Sequence, residues 1–453
     1  MSRLLLGRGA SPEPTPEPLR PEASVQPTSE QDAQPVAADA RSQQRPVQAR
    51  IRIPGIFVFA LCLYIFADFV RPQVLAALKL QLIIILFLPA FVAFGKLRWW
   101  APLMTFWVLI FCATAIQVPM ASNNYAAYMF TRSVYASAAI ALCIAWILQD
   151  YKSFRLAFAS WVLWLGYVAF YGATHGGVGP SGFTGDENDM ALACCVALPA
   201  AFFGFERNRG LLRLISAGLM ALFLVAIVVS FSRGGFVGLA GVGLFCFYFS
   251  RYKVRNLLLG VLMIAIFFVA APREYIDEIE SIQNTEEGTA ETRQFLWSAG
   301  FNMWKSHPIL GVGGGGSNFL IGRYQPEGEE YSGREYTERN WSGNALHSAY
   351  VQLLAEFGLV GVFLYSGMVI LHFRAMSRLR RDVAARLPAR HPLVNQVEMY
   401  AGGLSGAMVG FLVPALFLSV VGYPYIWYIS GFGLALDHVM RARLEQETFE
   451  FAG

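Results

Sequence analysis

The sequence predicts an all-α polytopic membrane protein, and three observations carry that prediction. Of its 453 residues, 55% are hydrophobic and only 15% are charged, whereas charged residues make up about a quarter of a soluble domain. Apolar runs recur at about the 20-residue length that a helix needs to cross the hydrocarbon core. Lys and Arg gather in alternate short loops, as cytoplasmic loops do. The formal net charge of +4 is too small to point to nucleic acid, and that class of partner is set aside.

Residues 1–50 are rich in Pro, Glu, Gln, Ala and Ser, with Pro12, Pro14, Pro16 and Pro18 at alternate positions. Such a segment cannot bury enough apolar surface to offset its ordering entropy, which predicts a disordered cytoplasmic tail. It also lacks the basic start, apolar centre and small-residue cleavage site of a secretory signal. About twelve apolar runs of spanning length follow. Nine lie within 51–271, at 53–70, 74–94, 101–120, 133–149, 155–172, 189–205, 211–232, 235–250 and 255–271. Three more lie within 347–440, at 347–373, 398–420 and 422–440, and a cytoplasmic tail, 441–453, ends the chain.

Charge sets the orientation. One set of loops holds Lys96 and Arg98, Lys152 and Arg155, Arg207, Arg209 and Arg213, Arg251, Lys253 and Arg255, the arginines between Arg374 and Arg390, and Arg441 with Arg443. The opposite loops hold little beyond Arg71, Arg132 and Arg233. Both termini are therefore expected in the cytoplasm, with the long acidic segment 272–346 outside. Long loops of this kind usually carry function. Within this one, Ala290 to Lys305 has amphipathic spacing through Phe295, Leu296, Ala299 and Met303, and predicts a helix ending at His307-Pro308. The glycine run 311–316 has neither a Gly-Lys-Ser/Thr ending nor a preceding strand, so it reads as loop and not as a nucleotide cradle. Cysteines 62, 112, 143, 194, 195 and 246 all fall in apolar runs without metal-type spacing, which implies packing.

A few polar residues stand at the outer ends of these runs. Arg233, before Gly234 and Gly235, either marks an anion site beside a helix start or snorkels to the interface from a tight turn. On spacing alone Arg293 is the wet-face arginine of an amphipathic helix, with Glu286, Glu287 or Glu291 as ion partners. His347 opens the tenth run, where an imidazole either serves a structural hydrogen bond or accepts a proton near neutral pH. Asp186, Glu187 and Asp189 could form a divalent-cation site, but fit better as the cap of the sixth span.

Read together, Ser230-Phe231-Ser232-Arg233-Gly234-Gly235, Arg293 with Trp297, His307-Pro308-Ile309-Leu310-Gly311-Val312-Gly313, and His347-Ser348-Ala349-Tyr350 running into Leu353 through Gly361 resemble the O-antigen ligase and polymerase superfamily. Gly185 to Ala193 is similar to the subgroup associated with exosortase systems, whose Asp-Asn-Asn-type motif here reads Asp186-Glu187-Asn188-Asp189. The resemblance implies a GT-C-like fold and an inner-membrane glycosyltransferase with its active site on the periplasmic face. It implies no metal and no cofactor. The donor would be a glycan on undecaprenyl diphosphate, and the acceptor a sugar of lipid A–core. Arg233 and Arg293 would hold the diphosphate, His347 would orient or deprotonate the acceptor hydroxyl, and Ser232, Gly234 and Tyr350 would support them. A polysaccharide polymerase shares these motifs. A lipid-glycan transporter would instead favour internal repeats and ionisable residues at the midplane of several helices.

Overall fold

The computed structural model describes residues 55–71, 99–180, 182–270, 289–326 and 340–452. Thirteen α-helices run through them, and no strand occurs among the described residues. They are α1 (Gly55–Val70), α2 (Pro102–Gln117), α3 (Asn124–Ile147), α4 (Tyr151–Thr174), α5 (Glu187–Arg207), α6 (Gly210–Val229), α7 (Arg233–Phe249) and α8 (Lys253–Ala270). After these come α9 (Thr289–Ser306), α10 (Ser317–Tyr324), α11 (Ala349–Arg386), α12 (Pro392–Leu412) and α13 (Tyr425–Ala452). Six helices are long and apolar enough to cross a membrane, namely α3, α4, α5, α6, α11 and α12, while α1, α2 and α7 are shorter apolar helices. The expected tail 1–50 and the expected span 74–94 lie outside the described residues.

Helix α5 is the axis of the bundle. Its run from Met190 to Ala197 is wholly buried, and it packs most heavily against α12 and α6. Small residues allow that approach: Gly402 fits against the Phe203 ring and Gly406 against Pro199. Where lipid tails surround a bundle, close van der Waals packing replaces the hydrophobic drive between helices. An aromatic cluster of Phe154, Phe158, Trp161, Tyr400 and Phe432 joins α4, α12 and α13. Cys143, Cys194, Cys195 and Cys246 are buried in the core, whereas Cys112 is exposed on α2, a position that packing does not explain.

The two ends of the bundle differ. At one end, polar pairs tie the helices together. The buried Glu206 carboxylate accepts from the Ser250 hydroxyl, from Arg251 N at 3.1 Å and from the Asn256 amide at 3.1 Å. Arg380 pairs with Glu398 at 3.0 Å. A buried carboxylate is tolerated when it is met on several sides in this way.

At the other end α11 is broken. Gly358 has φ +57° and ψ −154°, a conformation nearly closed to L side chains. The backbone groups freed by the break pair with the segment after α9. Val312 N donates to Ala355 O and Gly313 N to Glu356 O, at 2.9 and 3.1 Å. In return, Leu359 N donates to Pro308 O and Val360 N to Ile309 O, at 2.9 and 3.1 Å. Gln117, at the end of α2, donates its amide to both Leu310 O and Glu356 O. Irregular backbone inside a bundle persists where protein groups satisfy it, and here they do. The expected glycine loop 311–316 is thus a clamp on an opened helix.

Candidate active site at the polar end

The chain brings Arg233, Arg293 and His347 to this same end, each by a local device. Ser232 caps α7: its hydroxyl oxygen accepts from Gly235 N at 3.0 Å, the usual service of serine at a helix start. Phe231 just before it takes φ +51°, reversing the chain so that Arg233 becomes the first residue of α7. A Cβ on Gly235 would lie 2.6 Å from the Ala191 Cβ, so glycine is what lets α7 start flush against α5. Gly234 seats against Phe417 in the same way, with 3.3 Å from a built Cβ to the Phe417 Cβ. Arg233 itself is exposed.

His347 does not open the tenth helix as expected. The helix begins at Ala349, capped by Ser348. Leu346 is buried in a small core with Phe295, Leu296, Ala299 and Met303 of α9, and Trp297 Nε1 donates to its carbonyl at 2.9 Å. With the residues on both sides fixed, His347 reverses at φ +48° and its ring reaches solvent. Two non-glycine residues in the left-handed region beside one site, Phe231 and His347, are the kind of local strain that clusters at functional sites.

Arg293 departs from the wet-face reading. It is half-buried, and its Cζ sits 5.6 Å from the centroid of the Phe417 ring, because the amphipathic helix α9 lies against this end of the bundle. Burial first, and then the like charge of Arg233, pulls the Arg293 guanidinium below its ordinary value. The two cations are therefore close enough to repel, a cost that a bound anion would remove. Burial, and then Arg293, also pushes the His347 ring below the ordinary imidazole value, while Asp186 draws it back up. Burial and the cation thus disfavour imidazolium, and the carboxylate opposes them.

The acidic stretch is a cap, as its position suggests: the Asp186 carboxylate accepts from Asp189 N at 2.8 Å. It also does more. Asp189 accepts from the Tyr423 hydroxyl at 2.6 Å, and Asn188 Oδ1 accepts from the Ser232 hydroxyl at 2.7 Å. Among the described residues no group of His, Cys, Asp and Glu is placed to hold a metal ion. Tyr350 donates its hydroxyl to Leu412 O at 2.8 Å and so anchors α11 to α12. His307 lines a separate cleft of about 260 Å³ with Gln117, Met120 and Pro308, which holds no lysine or arginine. Phe417 and Asn188 were not singled out by sequence reading. Phe417 stood inside an expected span, where only Pro414 hinted that the helix had ended. Asn188 was legible only as one letter of the variant motif.

Apolar helices of spanning length, with a polar end of arginines, imidazole and capped helix starts, define an integral membrane protein. Residues 218–366 match the family described as O-antigen ligase, a stretch that contains Arg233, Arg293, His347 and the clamped break at Gly358. The match supports the O-antigen ligase and polymerase superfamily for this part of the chain. No curated protein matches the chain in sequence.

Proposed function

We propose that this protein is an inverting, metal-independent glycosyltransferase of the inner membrane. It would move a glycan from undecaprenyl diphosphate to a sugar of lipid A–core on the periplasmic face. The observation that carries the reading is the meeting of Arg233, Arg293 and His347 at one end: Phe417 lies against Gly234 and under Arg293, and Trp297 of the Arg293 helix bonds to Leu346 O beside His347.

Guanidinium forks match phosphate oxygens two at a time, and fixed positive charge in a partly dry site favours charge developing on a leaving diphosphate. In the proposed step the acceptor hydroxyl oxygen attacks the anomeric carbon. The bond from that carbon to the phosphate oxygen breaks, undecaprenyl diphosphate leaves with the electron pair, and the hydroxyl proton passes to the neutral His347 ring. A single displacement inverts the anomeric centre. We assign twelve spans in a GT-C-like arrangement, with residues 1–50 and 441–453 in the cytoplasm and 272–346 outside. This assignment rests on the loop charges and the alternation of the described helices.

The test is incubation of purified protein in nanodiscs with an undecaprenyl-diphosphate glycan and either lipid A–core or a second lipid-linked glycan. Transfer to lipid A–core supports the ligase. Extension of the lipid-linked chain would make the protein a polymerase, and no transfer to either acceptor would overturn the reading.

A further inference from the structure

We propose that the side-chain amide of Asn188 is a third donor to the diphosphate, acting beside Arg233; this rests on the diphosphate reading of that end. Asn188 lies in the first turn of α5, and its half-buried side chain meets α7 through the Ser232 hydroxyl at 2.7 Å. With Oδ1 taking the serine proton, the NH₂ faces away from the serine. Among the described residues the NH₂ has no hydrogen-bond partner.

The place is right for a ligand. Asp186, two residues earlier, is close enough to His347 to act on its charge, and Ser232 is joined directly to Arg233. Asn188 is therefore tied to the residue that precedes the first arginine. Carboxylates are poor neighbours for a diphosphate, and two measures limit their effect here. Asp189 is buried against the Tyr423 hydroxyl, and Asp186 is taken up by the Asp189 backbone N–H. That leaves a neutral donor in the middle of an acidic turn. An asparagine here can bind a phosphoryl oxygen, whereas an aspartate at the same position would repel it.

Inorganic pyrophosphate is the probe, measured by its inhibition of transfer and by direct calorimetric binding to the purified full-length protein. Asn188→Leu keeps the volume and removes the donor. It should weaken pyrophosphate binding by roughly 10- to 100-fold, the range for a hydrogen bond to a charged group. Ser232→Ala removes the tether but leaves the amide, and should weaken binding distinctly less. Asn188→Asp keeps the Ser232 bond and should bind worst of all at an unchanged melting temperature. Equal losses in Asn188→Leu and Ser232→Ala, or wild-type binding in Asn188→Asp, would mean that Asn188 only supports the turn, and the inference falls. Arg233→Gln and Arg293→Gln separate the two levels. If both leave pyrophosphate binding intact, the diphosphate reading fails. If both abolish it while Asn188→Leu does not change it, only the Asn188 assignment fails.

Discussion

Arg293 rests against Phe417, its Cζ 5.6 Å from the ring centroid, and the same phenylalanine seats on Gly234 of the other arginine's helix. One ring therefore sets the spacing of two cations that come from segments far apart in the chain. A guanidinium over an aromatic face is held by the ring quadrupole without spending its N–H donors, which stay free for a ligand.

Replacing Phe417 by Leu keeps apolar bulk and removes the π face. Donor KM should rise roughly 2- to 30-fold, from a cation–π contribution of about 0.5–2 kcal/mol, with kcat changed less. Steady-state kinetics on the purified variant, beside its melting temperature, checks this. An unchanged KM would reduce Phe417 to packing.

Arg233→Lys should impair transfer strongly although charge is preserved, because a point-charge ammonium cannot make the two parallel bonds of a guanidinium. The expected loss appears in donor KM and kcat together, measured on protein whose insertion is verified. Full activity of this variant would remove specific phosphate recognition from Arg233.

Gly358→Ala tests the clamp. At φ +57° and ψ −154° an added Cβ is strained by about 1–3 kcal/mol, and it would also press on Ile309 O at 2.5 Å and Pro308 O at 2.6 Å. The variant should melt earlier in detergent and lose transfer, since the segment it displaces follows directly from the helix that carries Arg293. A wild-type melting curve would mean that the break in α11 tolerates a side chain.

How much of this was legible in the sequence depends on how local its cause is. The helix start at Asp186 was legible, since a cap is written in three or four neighbouring letters, whereas Ser232 and Ser348, which also cap their helices, stood inside expected apolar runs. The helix in the 272–346 segment was legible too, because amphipathic spacing is a local pattern. The break in α11 was not. A glycine in an apolar run looks like a packing residue, and what opens the helix is pairing with 308–313 and with Gln117, some 239 residues before Glu356. The same holds for Arg293. A wet-face arginine and one lying on a distant ring have the same neighbours in sequence. The reversal at His347 has no letter of its own, since it follows from Trp297 and the α9 core fixing Leu346.

If the His347 ring takes the acceptor proton, His347→Ala should lower turnover by about 10²–10⁴-fold while donor binding stays near wild type. Only the neutral ring can accept, so rate should fall as acid protonates it. Burial and Arg293 hold the protonated form below its ordinary value against the pull of Asp186. The acid limb of kcat/KM should therefore lie below the usual imidazole value of about 6.5. The shift has a sign that variants can reverse. Arg293→Gln removes a cation that disfavours imidazolium and should move the limb up in pH, whereas Asp186→Asn removes a carboxylate that favours it and should move the limb down. Both can be read from pH–rate profiles of the residual activity, and a limb that ignores both changes belongs to some other group. A histidine that only holds the turn at φ +48° would behave differently. Its replacement by Asn, which tolerates that backbone, would leave rate and pH profile as they were, while one by Ala would lower the melting temperature.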